Sequence, residues 1–250
     1  MDDAVNAFLK AVQGSNTSIP NEEGVPKAVL KEIIKSWGEP SPGINTALFI
    51  ASAALLRKKT WTGSSYAEHY LRVSGVGLPG DFISDEEKIV GILHDVVEDS
   101  DWTTEDLEEI GFSPAICEGV RSVTKMDGEL YLDASKRASI NLFGRHVKRR
   151  DNKDNMDLTR STKAATDKQK FLYHISYSYL SAVEEYHISG GKDGIPPNYS
   201  IWKFLDLPKY TGLLTAENVN IVAQKTLEPI PQKIATKFGL TSQQLTPSAA

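Results

Sequence analysis

His94-Asp95-Val96-Val97-Glu98-Asp99, preceded by Ile89-Val90-Gly91-Ile92-Leu93, is the stretch from which the fold can be read. Its apolar residues recur at helical spacing, so it predicts one helix over Asp85–Glu98 with Ser84 as N-cap. On that helix His94 lies over Glu98 and Asp95 over Asp99, because positions four apart share a face. The isoleucines and valines supply a buried side, while an imidazole and three carboxylates follow one edge. Burying such a row of charge is costly unless a cation compensates it, and a metal ion is the simplest compensation.

The same periodicity extends in both directions. Helices are predicted over Ala4–Val12, Val25–Trp37, Asn45–Leu56, Tyr66–Val73, Thr103–Ile110 with Gly111 as its stop, and Pro114–Thr124. They continue over Leu132–Asp157, broken near Gly144, and over Ala164–His187. No run alternates as a sheet requires. The fold class expected is therefore all-α. From Ser189 onward glycines and prolines (Gly190, Gly191, Gly194, Pro196, Pro197, Pro208) interrupt the pattern, and short helices are expected at Ala216–Lys225 and Pro231–Phe238. This divides the chain into a helical domain, 1–188, and an appended C-terminal segment, 189–250, whose last residues are expected to fray.

Composition narrows the function classes. The 250 residues carry a formal net charge of −5, which argues against a general nucleic-acid binder. One cysteine, Cys117, allows no intrachain disulfide and fits a reducing compartment. The acidic start, Met1-Asp2-Asp3-Ala4, lacks the features of a signal peptide. The longest apolar-rich run, Ala47–Leu56, is too short to span a bilayer. The expectation is a cytoplasmic protein with no membrane partner. Gly75-Val76-Gly77-Leu78-Pro79-Gly80 fits a dinucleotide-binding spacing but follows a helix, not a strand, and so lacks its context.

A mixed nitrogen and oxygen metal site needs more ligands than His94 and Asp95. Of the five histidines, His69 lies in Tyr66-Ala67-Glu68-His69, on the helix before the opening one. A further carboxylate is offered by Asp151 in Asp151-Asn152-Lys153-Asp154-Asn155-Met156, with Asn155 on its face. Helical bundles assemble metal sites from separate helices in this way.

The order His69, His94-Asp95, Asp151 resembles the H…HD…D pattern of HD-domain metal-dependent phosphohydrolases. The likeness is closest to the hydrolase domain of RelA/SpoT-type enzymes. His94 to Asp101 resembles "HDVVEDTD", and Gly119 to Lys125 resembles "V-x-G-V-T-K". Val147 to Met156 resembles "VKLADRLHNM", and Gly63 to His69 resembles "G-E-P-Y-I-x-H". The blocks follow family order from about Arg57 to His187.

The resemblance implies an HD-domain helical bundle and a Mn²⁺-dependent hydrolase. It would remove the 3′-pyrophosphate from guanosine tetra- and pentaphosphate (ppGpp and pppGpp), as the small hydrolase-only members do. By position, His69, His94, Asp95 and Asp151 would hold the metal, and Glu98 and Asp99 would handle the attacking water. Arg57, Lys58, Lys59 and Asn155 would meet the nucleotide. Lys148, Arg149, Arg150 and Lys153 are placed by their charge to hold phosphate oxygens.

Two imidazoles and two carboxylates suit Mn²⁺, with Fe²⁺, Co²⁺, Ni²⁺ and Zn²⁺ as competitors. The chain departs from the family at Tyr70, where proline is usual, and at Arg149-Arg150, where Leu-Ala is usual. It also spaces Arg57-Lys58-Lys59 farther from Gly63. These departures fall on the nucleotide side. A phosphatase of another nucleotide such as NADPH, and an inactive nucleotide-sensing binding protein, therefore stay open beside the first reading. The partner expected is a small nucleotide, with the C-terminal segment a candidate surface for self-association.

Overall fold

The computed structural model describes residues 26–38, 41–56, 58, 65–76, 83–157 and 166–240. The helix expected over Ala4–Val12, the candidate residues Arg57 and Lys59, and the fraying end from Thr246 lie outside the described residues. Every regular element that is described is a helix, and the all-α expectation holds. None of these helices is long and apolar enough to cross a membrane. The described residues divide into two compact units, one ending at Arg121 and the other beginning at Ser122.

The first unit contains α1 (Lys27–Ser36), α2 (Ile44–Ala54), α3 (Ala67–Ser74), α4 (Asp85–Leu93), α5 (Val96–Asp99) and α6 (Thr104–Ile110). Leu30, Ile33 and Ile34 form the buried stripe of α1, and Ala47, Ile50 and Ala51 that of α2. Helix α4 is buried over Ile89–Leu93 and packs against α2 and α3. Its start is the expected one, with the Ser84 hydroxyl accepting from the Glu87 amide. Helix α6 opens on a capping box in which Thr103 and Asp106 satisfy each other's backbone amides, and it ends at Gly111. Lys27 and Lys31 of α1 both pair with Asp106. Partial burial pushes that carboxyl up, but the two lysines and the Thr103 amide prevail and hold it well below the usual carboxylate range.

One expectation is corrected. The helix predicted over Asp85–Glu98 is two helices, broken at His94 and Asp95. Asp95 has φ −102° and ψ −5°, the sparsely populated bridge region where many active-site residues sit. The apolar spacing runs through the break, so periodicity alone cannot reveal it.

Helix α7 (Pro114–Val123) carries the chain past the division, and Cys117 on it is fully buried, as expected of a small core residue. The second unit is built on α8 (Tyr131–Ile140), α9 (Leu142–Met156) and α10 (Asp167–Ile188), which pack on one another. The break expected near Gly144 falls at Asn141, whose side chain caps α9 by accepting from the Gly144 amide. Beyond Ser189 follow α11 (Ile201–Leu205), a short 3₁₀ turn (Thr211–Leu213), α12 (Ala216–Ala223) and α13 (Gln232–Lys237).

Ile201, Trp202, Phe204, Val219, Val222 and Ile234 of these elements share one hydrophobic core with Leu132, Ile175, Tyr179 and Val183 of α8 and α10. The loop into this region lies against α10. Gly194 has φ +81°, and a β-carbon there would stand 2.2 Å from the Ala182 carbonyl oxygen, so only glycine fits.

Candidate metal centre

In the first unit the site begins with a close approach of two helices. A β-carbon on Gly91 would lie 2.5 Å from the Ser74 α-carbon. The missing side chain lets α3 and α4 touch, and this brings His69 on α3 to His94 at the end of α4. Both histidines are buried. Their Nε2 atoms stand 3.2 Å apart, with ring centroids at 5.1 Å.

His94 Nδ1 lies 2.8 Å from the Gly91 carbonyl oxygen. A carbonyl only accepts, so Nδ1 carries the proton and donates. In the neutral ring Nε2 is then left with its lone pair outward, the arrangement metal-bound histidines adopt.

The Asp95 carboxylate completes a triangle. Its Oδ2 is 3.1 Å from His94 Nε2 and 3.7 Å from His69 Nε2. With metal–ligand bonds of about 2.1 Å, two ligands lie about 3.0 Å apart at right angles and about 3.4 Å apart at the tetrahedral angle. Two edges of the triangle, 3.1 and 3.2 Å, fall between these values, and the third, 3.7 Å, is longer. His69 Nε2, His94 Nε2 and Asp95 Oδ2, three atoms of types that can ligate a metal, thus lie within 3.7 Å of one another.

Burial pushes the Asp95 carboxyl up. With His94 protonated, its charge and hydrogen bond, joined by the fields of His69 and Lys58, outweigh burial and hold Asp95 well below the ordinary carboxylate range; the neutral ring lacks that proton. The Tyr66 hydroxyl donates to the same Oδ2. The Lys58 ammonium lies 4.2 Å from the centroid of the Tyr66 ring. It is 3.9 Å from Asp95 Oδ2 and pairs directly with Asp99. Glu98 and Asp99 are both exposed at the end of the short helix α5.

In the second unit Asp151 is buried on α9. Its own helix holds both of its oxygens. Lys148 Nζ donates to Oδ2 at 2.8 Å, and Asn155 Nδ2 donates to Oδ1 at 2.6 Å. The shared face expected of Asp151 and Asn155 is thus present, with Asn155 acting on the carboxylate itself. Arg149 places its guanidinium 5.8 Å from the centre of the Tyr177 ring. His69 and His94 in the first unit and Asp151 in the second are each buried, and each is of a type that can ligate a divalent metal ion.

No protein-family model and no curated protein matches the chain. Among solved structures, the chain is similar to that of a metazoan ortholog of SpoT, a protein that hydrolyzes ppGpp and plays a role in starvation responses. The match has 21% sequence identity and a TM-score of 0.47, and covers 61% of this chain and 98% of that one.

The structure therefore brings together His69, His94 and Asp95, with Lys58 and Asp99 beside them. It also shows two residues that sequence reasoning did not single out. Tyr66 precedes His69 by one helical turn, and that spacing was its only signal. Asn152 follows Asp151 and is fully buried. A buried amide within a charged run is invisible to periodicity.

Proposed function

We propose that this chain is an HD-type metal-dependent phosphohydrolase that removes the 3′-pyrophosphate from ppGpp and pppGpp. The observation that carries the reading is the convergence of His69 Nε2, His94 Nε2 and Asp95 Oδ2, at 3.2, 3.1 and 3.7 Å, within the His94–Asp99 motif. Asp151 is the fourth ligand in this reading, and Mn²⁺ the metal. When bound, the ion supplies a Lewis acid and a water of lowered pKa.

The remaining roles belong to the chain's own side chains. Gly91 and the His94 Nδ1–H bond hold the imidazole in the ligating tautomer. Tyr66 steadies Asp95 through Oδ2. Glu98 and Asp99 accept the proton of the attacking water, and their exposure lets that proton pass on to solvent. Lys58 is shared between Asp95 and Asp99, which holds a cation where phosphate oxygens would arrive; Arg57 and Lys59 are its partners for the nucleotide. Lys148 and Arg149 meet phosphate charge, with Arg149 already steadied against Tyr177. Asn155 orients Asp151, and the nucleotide contact is its second task.

The test is incubation of the purified chain with Mn²⁺ and, separately, ppGpp, pppGpp and NADPH. GDP or GTP plus pyrophosphate is the expected outcome. No turnover of either alarmone by folded, metal-loaded protein would overturn the substrate, and release of phosphate from NADPH instead would make the chain a phosphatase of that nucleotide.

A further inference from the structure

Behind Asp151 lies a closed set of polar side chains that the proposed chemistry does not use. Asn152 is fully buried, as are Ser135 on α8 and Ser176 on α10. Tyr131, at the start of α8, donates its hydroxyl to Asn152 Oδ1 at 2.6 Å. Asn152 Nδ2 donates to Ser176 Oγ at 2.7 Å. Ser135 Oγ donates to the Tyr131 carbonyl at 3.0 Å and lies 2.7 Å from Ser176 Oγ. Because Ser135 spends its proton on that carbonyl, Ser176 is the donor between the two serines. Every hydroxyl then gives one bond and the direction of each is fixed, starting from Tyr131 and returning to it.

This arrangement joins three helices at the position next to Asp151. On a helix, successive residues point about 100° apart. Fixing the Asn152 amide on the inner side therefore fixes the rotation of α9 about its axis, and with it the direction of Asp151 and Asn155. Asn suits this task because it accepts at one end and donates at the other. A fully satisfied buried network also has a single low-energy arrangement, since any rotation would leave a polar group unpaired away from water.

The same Tyr131 carries the Lys148 ammonium 5.7 Å from its ring centroid, and Lys148 is the partner of Asp151 Oδ2. Tyr131 thus touches Asp151's surroundings twice, once through Asn152 and once through Lys148.

We propose that Tyr131, Asn152 and Ser176 are positioning residues that set the Asp151 carboxylate for metal binding. This rests on the reading of Asp151 as a ligand. The outer partners of metal ligands commonly govern affinity by about tenfold or more, and the same size of effect is expected here without any contact to the ion.

The experiment titrates Mn²⁺ into the full chain by calorimetry and records thermal unfolding of each variant without metal. Tyr131→Phe and Ser176→Ala each remove one hydroxyl and little volume; both are expected to raise the Mn²⁺ Kd about tenfold. Val222→Ala, in the buried core of the second unit, is the comparison; it should lower the melting temperature and leave the Kd unchanged. Unaltered affinity in Tyr131→Phe and Ser176→Ala, or equal weakening in Val222→Ala, would overturn the positioning role. Wild-type affinity in Asp151→Asn would instead overturn the ligand reading beneath it, so the two failures are told apart.

Discussion

The corner around Asp95 and the junction around Glu228 both contain carboxylates held below their usual pKa by neighbouring donors, yet their surroundings differ. At the junction, every acceptor meets a donor. Glu228 takes the Lys136 ammonium and the Ile201 amide on Oε1, and the Ser200 hydroxyl at 2.5 Å on Oε2. Nearby, Asp133 on α8 receives the Thr226 hydroxyl and the Leu227 amide, each at 2.7 Å. Burial pushes Glu228 up, and Lys136, Ser200 and Ile201 bring it below the ordinary value. At the corner, by contrast, two imidazole nitrogens and a carboxylate oxygen face one another. A depressed carboxylate therefore does not by itself mark function. Donors matched to acceptors account for Glu228 as structure, whereas a carboxylate sharing a corner with two imidazoles is the arrangement the proposed metal site requires.

The sharpest way to break this contrast is to remove an acceptor from the corner. Asp95→Asn or His94→Ala should abolish stoichiometric metal binding, measured by elemental analysis after dialysis. Hydrolysis should fall by about a thousandfold or more, because the activated water is lost with the ion, while the helical circular dichroism is kept. Metal retained at full occupancy in both variants would place the ion elsewhere.

Next in size is the packing that creates the corner. Gly91→Ala forces a β-carbon into the Ser74 backbone at 2.5 Å, where no flexible side chain can yield. A loss of about 1–3 kcal/mol is expected in urea unfolding, with weakened metal binding as α3 and α4 separate. Unchanged stability and metal affinity would show that the close approach is not what aligns the histidines.

Glu228→Gln tests the junction. It should cost about 1–3 kcal/mol at pH 7 because an amide nitrogen replaces one acceptor oxygen among donors, and should leave metal affinity unchanged. The pH dependence has a definite sign. Glu228 is depressed in the folded chain, so its stabilisation is complete above the ordinary glutamate pKa of about 4.3 and is lost as pH falls through the lower folded value. The wild type should lose stability more steeply than the variant on acidification below about pH 4.3. Parallel curves would remove Glu228 from the account.

The smallest effect is expected from Tyr66→Phe. It deletes one donor to Asp95 and keeps the ring beneath Lys58, so a several-fold fall in kcat with little change in stability is predicted. An unchanged kcat would mean that Asp95 needs no orientation from Tyr66.

Much of this was legible in the residues. Ser84, Gly111 and the apolar stripes of α1, α2 and α4 announced the helices. That His69, His94 and Asp95 belong together was legible through their order and helical setting, and the structure places them side by side. What escaped has physical reasons. The break at His94–Asp95 lies inside an unbroken apolar spacing, so only backbone dihedral angles reveal it. Helix α11 has five residues, too few to show a period, yet it places Trp202 and Phe204 in the deepest part of the core. The pairing of Asp133 with Leu227 joins residues 94 apart in the chain, and no local pattern encodes such a partner. Gly194 sat among the glycines and prolines that made the C-terminal segment look appended. Its role as the point where that segment touches α10 depends on a carbonyl that only the fold supplies.

The most direct measurement is anomalous X-ray scattering at the manganese edge from crystals of the wild-type chain grown with Mn²⁺. The account predicts one strong peak at bonding distance from His69 Nε2, His94 Nε2 and an Asp95 oxygen. A well-ordered structure with no peak at that point, or with the manganese held by other residues, would contradict it.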